Sequence, residues 1–278
     1  MLSVSFSLIR IMRKFFQKIG RIYAMEWGRV LEYRIDVIAW SLAAASIPLV
    51  SLALWYNVSL QNPTGLSPQE TLTYFLLVIF IKIITDAWNG FFTAWEILNG
   101  DIVKYLIRPF PMIWNDIINN TVEKCIKLLI PLPLFIFFLF SFPHTFSPQI
   151  FIPSHWLLFI PSLLLALILS FTLETCFGFL AFWLEEAQQI RSFKNIFELV
   201  ASGVLIPFIL MPPTVRTALS FLPFRYIVSV PAEILLGQAS FNQSIQLLLY
   251  QTVWIFLIIM LAYTLWQKGL QRYAVPGQ

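Results

Sequence analysis

The stretch AWEILNGDIVKYLIRPFP, residues 94–111, places charged side chains between long hydrophobic runs. Its distinctive residues are Glu96, Asn99, Gly100, Asp101, Lys104, Tyr105, Arg108, Pro109 and Pro111. The glycine interrupts a helix and the prolines end it. Because apolar runs flank it on both sides, we interpret residues 94–111 as a structured, charged elbow between two membrane spans. An elbow of this kind suits a membrane subunit that receives force from a soluble partner.

The composition of the whole chain supports a membrane protein. Of its 278 residues, 59% are hydrophobic and 12% are charged, with a mean hydropathy of +0.78. Soluble domains carry about 25% charged residues, so this chain has too few charged side chains to form a surface that is exposed to water on all sides. We therefore expect one polytopic membrane domain. The net charge of +4 does not indicate a nucleic-acid partner, because the cations lie at span ends and in one N-terminal segment.

Six hydrophobic runs predict the membrane spans. A helix needs about 20 apolar residues to cross a core of about 30 Å. The runs cover residues 35–56, 71–92, 122–142, 156–184, 196–211 and 245–266. The fifth is short and ends at Pro212 and Pro213. The predicted fold class is an all-α polytopic membrane protein with six transmembrane helices.

The chain divides into two predicted units, an N-terminal amphipathic helix at residues 1–34 and a membrane domain at residues 35–278. Between residues 11 and 34, cations alternate with aromatic and aliphatic side chains. Such a helix lies in the membrane interface, with its basic face toward anionic lipid headgroups. A cytoplasmic helix packed on a partner protein is the alternative.

Two features concern the outer side of the membrane. The loops at residues 57–70 and 143–154 contain no Lys or Arg, so the positive-inside rule places both termini in the cytoplasm. We expect a multi-pass protein of the cell's inner or plasma membrane.

The apolar run at residues 227–236 is too short to cross the membrane. With residues 215–222 it predicts short re-entrant helices in the outer leaflet, and an ordinary outer amphipathic loop is the alternative.

Three ionisable residues fall inside predicted spans: Lys82, Asp86 and Glu174. Lys82 and Asp86 are four residues apart and share one helix face. A charge at the centre of a span costs roughly 2.5–3.5 kcal/mol, so this pair should face the protein interior. It is either a structural pair that faces the bundle, or a pair that lines a pathway or a subunit contact. A proton relay built from all three residues is a further alternative.

The sequence contains no sign of catalysis. It has no GxxxxGK[ST] phosphate-binding segment and no grouping typical of a catalytic triad. His144 and His155 are too few to predict a metal site. We expect a chain that is not an enzyme and that binds no metal or cofactor itself.

Three segments resemble a known family: GDIVKYLIRPFP at residues 100–111, residues 202–237 with their spaced prolines, and the ending WQKGLQRYAVPGQ. Together they are similar to the membrane subunits of type-2 ABC transporters, the exporter class. More narrowly, they resemble its six-span permease branch, which is usually paired with a second permease and a separate ATPase. The ending Gly277-Gln278 and the extension before Arg13 depart from the pattern.

The resemblance implies a function for the elbow and for the outer helices. The elbow would be the coupling helix, which contacts an ATPase through Glu96, Asn99, Gly100, Asp101, Lys104, Tyr105, Arg108 and Pro109. The short outer helices would form a gate that includes Pro223, Phe224, Pro231 and Glu233. The partners would be two ATPase subunits, which bind ATP and Mg, and a second permease that is a different chain or a second copy.

Two other functions stay open on the residues alone. One is a proton-coupled secondary transporter that uses Lys82, Asp86 and Glu174. The other is a membrane scaffold that transports nothing and recruits or assembles another complex.

Overall fold

The computed structural model describes residues 2–61, 65–108, 110–129 and 131–273, with side chains from residue 16 onward. All regular structure in these ranges is helical. The α-helices are α1 (Leu2–Glu32), α2 (Arg34–Gln61), α3 (Pro68–Thr85), α4 (Asn89–Leu98), α5 (Val103–Leu106), α6 (Met112–Leu128), α7 (Pro131–Ser141), α8 (Pro153–Phe179), α9 (Ala187–Ala201), α10 (Pro213–Ser220), α11 (Arg225–Leu235) and α12 (Phe241–Tyr273). Short 3-10 helices lie at Pro143–Thr145, Pro148–Phe151, Leu180–Phe182 and Phe208–Leu210.

Four helical stretches among the described residues are long and apolar enough to cross a membrane: Arg34–Gln61, Pro68–Leu98, Pro153–Phe182 and Phe241–Tyr273. Two bent pairs raise the number to as many as six. α6 and α7 meet at 43°, and α10 and α11 meet at 114°. The prediction of an all-α polytopic membrane protein is confirmed. The predicted boundary at residue 34 falls where α1 ends and α2 begins.

The prediction of a fifth span at residues 196–211 is wrong as a single helix. α9 ends at Ala201, and apart from the short 3-10 helix at Phe208–Leu210 the chain is irregular from there to α10. Gly203 has a φ of +91°, and a Cβ atom there would lie 2.6 Å from the hydroxyl oxygen of Tyr74. Pro207 and Pro212 follow and cannot donate helical hydrogen bonds. The sixth candidate crossing is instead the bent pair α10 and α11.

α8 is the central helix of the bundle, because α3, α4, α9, α11 and α12 all pack against it. The main hydrophobic core joins α3, α8 and α11, and every residue from Tyr226 to Leu235 is buried. Gln251 of α12 is fully buried in this core and donates to the backbone oxygens of Ser162 and Tyr226. A satisfied polar group of this kind fixes how the last helix packs.

A second, smaller core lies beneath the elbow. Ala94, Ile97 and Ile102 pack against Phe182, which follows α8, with Trp266 and Tyr273 of α12 at the edge. A Cβ atom at Gly269 would lie 2.2 Å from the Phe182 ring, so the glycine lets α12 approach closely. The elbow is thereby fixed to the ends of α8 and α12.

Candidate functional site

The elbow is a compact turn rather than an open loop. α4 ends at Leu98, and Gly100 reverses the chain with a φ of +81°, a conformation that favours glycine. Ile102 is fully buried, and its backbone N–H donates to the Glu96 backbone oxygen at 3.1 Å. The short helix α5 follows directly. These contacts give the elbow a defined shape without any partner.

Glu96 organises the inner side of the elbow. Its Oε1 atom accepts a hydrogen bond from the Tyr105 hydroxyl at 2.9 Å and pairs with Lys104 Nζ at 3.0 Å. Burial, and then the nearby Glu96 carboxylate, raise the pKa of Tyr105 above its ordinary value, so the phenol stays protonated and remains a donor. Three of the residues predicted for the elbow therefore meet at one carboxylate.

The outer side of the elbow carries a local side-chain hydrogen bond, which Asn99 Nδ2 donates to the Trp95 backbone oxygen at 2.9 Å. Its exposed side chains, which we call the elbow tip, are Leu98, Asn99, Asp101, Val103, Leu106, Ile107 and Arg108. Ile107 is 78% exposed. An apolar patch edged by charges is typical of a protein interaction site. Pro109, also predicted for this surface, lies outside the described residues.

The charges inside the bundle form one connected ionic network. Lys82 Nζ lies 2.7 Å from Glu198 Oε1 and 3.7 Å from Asp86 Oδ1. Glu174 Oε2 lies 2.7 Å from Arg191 Nε. Lys194 joins the two halves, because it pairs with Glu174 and, at 3.0 Å, with Glu198. We call these three cations and three anions the ionic network.

The ionic network connects three helices. Lys82 and Asp86 lie on and just after α3, Glu174 lies on α8, and the remaining members lie on α9. The predicted contact between Lys82 and Asp86 is present but long, and Lys82 makes its shorter contact with Glu198. Lys82 and Glu174 have no direct ion pair in the described chain. They are linked through α9.

The α9 members of the network, Arg191, Lys194 and Glu198, were not predicted from the sequence. They are spaced three and four residues apart, so they share one helix face. This spacing was the available signal. It was missed because the segment lies at a predicted span end, where charges usually face water, whereas all three side chains are buried.

A break between α3 and α4 connects the ionic network to the elbow. The backbone from Asp86 to Trp88 is not helical, and Asn89 then donates from Nδ2 to Thr175 Oγ1 at 2.7 Å. Gly90 packs directly on α8, because a Cβ atom there would lie 2.2 Å from the Glu174 backbone oxygen. α4, which leads into the elbow, therefore packs against Glu174, the residue that pairs with Arg191 and Lys194.

The residues predicted for an outer gate come together on α11 and just before it. Arg225 Nη2 lies 2.8 Å from Glu233 Oε2, and Ser229 donates to Glu233 Oε1 at 2.7 Å. Pro223, Phe224 and Pro231 are buried. The ion pair lies within α11, whereas the sharp bend between α10 and α11 is spanned by the Tyr226 hydroxyl, which donates to the Ser220 backbone oxygen at 3.0 Å.

Within the described ranges, no group of three or more His, Cys, Asp or Glu side chains is placed to hold a metal ion.

A family model described as "ABC-2 family transporter protein" matches residues 42–277. The match includes the elbow, the ionic network and the bent outer pair. Comparison with curated proteins and with solved structures gave no match.

Proposed function

The chain belongs to the ABC-2 family of transporter proteins, and from this we propose that it is the permease subunit of an ATP-driven exporter that couples to a separate ATPase through the elbow. As a member of this family it is an integral membrane protein and the membrane component of an ABC transporter. Two partner ATPase subunits would bind ATP and Mg. A second permease would complete the translocation path.

One observation carries the proposal: the elbow is fixed on its inner side and bare on its outer side. Ile97 and Ile102 attach it to the ends of α8 and α12. Asp101, Ile107 and Arg108 are exposed. A rigid, exposed surface can transmit a displacement from a bound partner to the rest of the protein, whereas a flexible loop would change shape instead. A hydrophobic centre with charged edges is also what a protein partner recognises.

The contacts of α4 would pass such a displacement from the elbow into the helix bundle. A displacement of the elbow would move α4 and therefore the contact between Gly90 and Glu174. Glu174 anchors Arg191 and Lys194, so α9 would respond as well. α9 leads into the segment that ends in the bent pair α10 and α11, which we propose as the re-entrant outer gate. α1 would lie along the inner membrane surface in contact with lipid, with both chain ends in the cytoplasm.

Reversing the charge at the elbow tip tests the proposal. We expect Asp101→Lys or Arg108→Glu to lower ATP hydrolysis that depends on the permease about tenfold, since losing one interfacial charge contact costs about 1.4 kcal/mol or more. The measurement is the ATPase rate of the reconstituted transporter, together with the amount of ATPase subunit that copurifies. Membrane insertion should not change, because both side chains are exposed.

Asp36→Lys provides a matched control, because Asp36 is exposed at the start of α2, outside both the elbow and the proposed gate. It should leave ATP hydrolysis within about twofold of wild type. Normal coupling in Asp101→Lys and Arg108→Glu, or an equal loss in Asp36→Lys, would contradict the assignment of the elbow.

A further inference from the structure

A cavity of about 530 Å³ lies between α1 on one side and α4, the elbow and α6 on the other. Its volume is within the range of small-molecule binding sites, about 300–1,000 Å³. Lys18 and Arg21 of α1 line one wall, and Asn89, Glu96 and Asp116 line the opposite wall. The two walls differ in charge, and this difference indicates what the cavity would bind.

The wall formed by α4 and α6 has more hydrogen-bond acceptors than donors. Asn89 is 4% exposed, and its Nδ2 donates to the Phe171 oxygen and to Thr175 Oγ1. Its Oδ1 has no hydrogen-bond partner among the described residues. Oε2 of Glu96 also has no hydrogen-bond partner among the described residues, whereas its Oε1 accepts from the Tyr105 hydroxyl. Buried acceptors without donors cost about 1–3 kcal/mol each.

Asp116 adds a second acidic side chain to this wall. No ion pair to Asp116 is present in the described part of the chain, and it lies close enough to Glu96 for the two carboxylates to repel each other. Lys104 neutralises Glu96 from the elbow side at 3.0 Å. Arg108 also lines the cavity but forms no ion pair with Asp116 among the described residues, so the position beside Asp116 favours a positively charged group that brings N–H donors.

The α1 wall has the opposite character. Lys18 and Arg21 are three residues apart, so they lie on one helix face, and both are exposed. Neither forms an ion pair with another described residue, whereas Glu26 is paired with Arg29 at 2.8 Å. Free lysine and arginine side chains on one face are suited to a phosphate or carboxylate group.

We propose that this cavity binds a zwitterion, with its ammonium group at Asp116 and its anionic group at Lys18 and Arg21. A phosphoethanolamine group has this chemistry, and it can come from a membrane lipid or from a soluble metabolite. Glu96, Tyr105 and Arg108 of the elbow also line the cavity, so the test changes only Asp116, Lys18 and Arg21, which lie outside the elbow, and it measures lipid binding rather than ATP hydrolysis.

Native mass spectrometry of the purified full chain in detergent tests the site. The probes are phosphatidylethanolamine and phosphatidylglycerol with identical acyl chains. We expect the wild type to retain phosphatidylethanolamine about tenfold more tightly, and Asp116→Asn to lose this preference. Asp116→Glu should keep it, and so should Asp36→Asn, which removes an equal charge from an exposed site on α2. The double variant Lys18→Gln with Arg21→Gln should weaken retention of phosphatidylethanolamine.

Free phosphoethanolamine distinguishes the two sources. If it displaces the lipid, the headgroup alone is recognised; if the lipid is retained and not displaced, the site requires the acyl chains as well. Both results support a zwitterion site. Equal retention of the two lipids by the wild type would overturn it, and so would an unchanged preference in Asp116→Asn protein whose thermal midpoint matches the wild type.

Discussion

Replacing Glu174 with glutamine should lower the free energy of unfolding by about 3–5 kcal/mol, the usual cost of removing one partner from a buried ion pair. Glu174 holds Arg191 at 2.7 Å and also pairs with Lys194. Without its charge, the ionic network would carry three cations against two anions in a buried site. Unfolding of the purified protein by a denaturing detergent, followed by circular dichroism, measures the loss.

Two further variants separate this effect from a general sensitivity to mutation. Glu186→Gln removes an acid that is exposed just before α9, and it should change stability by less than about 0.5 kcal/mol. The double variant Glu174→Gln with Lys194→Met should recover part of the loss, because it restores the balance of charge. If Glu174→Gln unfolds at the same midpoint as Glu186→Gln, the network does not hold α8 and α9 together.

The elbow could be predicted from the sequence because its signals are local. Gly100 and the closing prolines mark the turn, and the charges stand out against apolar neighbours. The helical class and the long membrane helices follow equally from hydrophobic runs. The pairing of Glu96 with Lys104 and Tyr105 could not be predicted, because it depends on how the turn at Gly100 folds the chain back.

The ionic network shows where local signals fail. Lys82 and Asp86 could be paired by helix spacing, yet Lys82 makes its shorter contact with Glu198, 116 residues away. Such a contact depends on tertiary packing, on which a single sequence carries little information. The prediction of a fifth span was wrong for a related reason. Hydropathy at residues 196–211 resembles a short span, but Gly203 and the following prolines end the helix inside the protein core.

The network also bears on the alternative functions. Every acid in it has a cationic partner within 4 Å, which is the arrangement expected of charges that hold helices together. The prediction of a structural pair facing the bundle fits this geometry better than a relay through Lys82, Asp86 and Glu174. Among the described residues, the ion pairs that link Lys82 to Glu174 run through α9.

The second large effect is expected at Gly90, where α4 rests on α8. Gly90→Ala should destabilise the protein by about 3 kcal/mol, near the upper end of overpacking costs. The added methyl would lie 2.2 Å from the Glu174 backbone oxygen and 2.8 Å from Glu174 Oε2. The nearer atom belongs to the backbone of a central helix, so it cannot simply rotate away. α4 must shift, and the elbow must shift with it.

Gly28→Ala is the matched control, because a Cβ atom at Gly28 would meet nothing within 4 Å. Alanine favours a helix interior over glycine by about 0.8–1.0 kcal/mol, so this variant should be neutral or slightly more stable. Detergent unfolding compares the two, and the ATPase rate of the reconstituted transporter shows whether the elbow has moved. Gly90→Ala protein with wild-type stability and normal coupling would mean that α4 tolerates displacement from α8, and the proposed route from the elbow to the ionic network would be wrong.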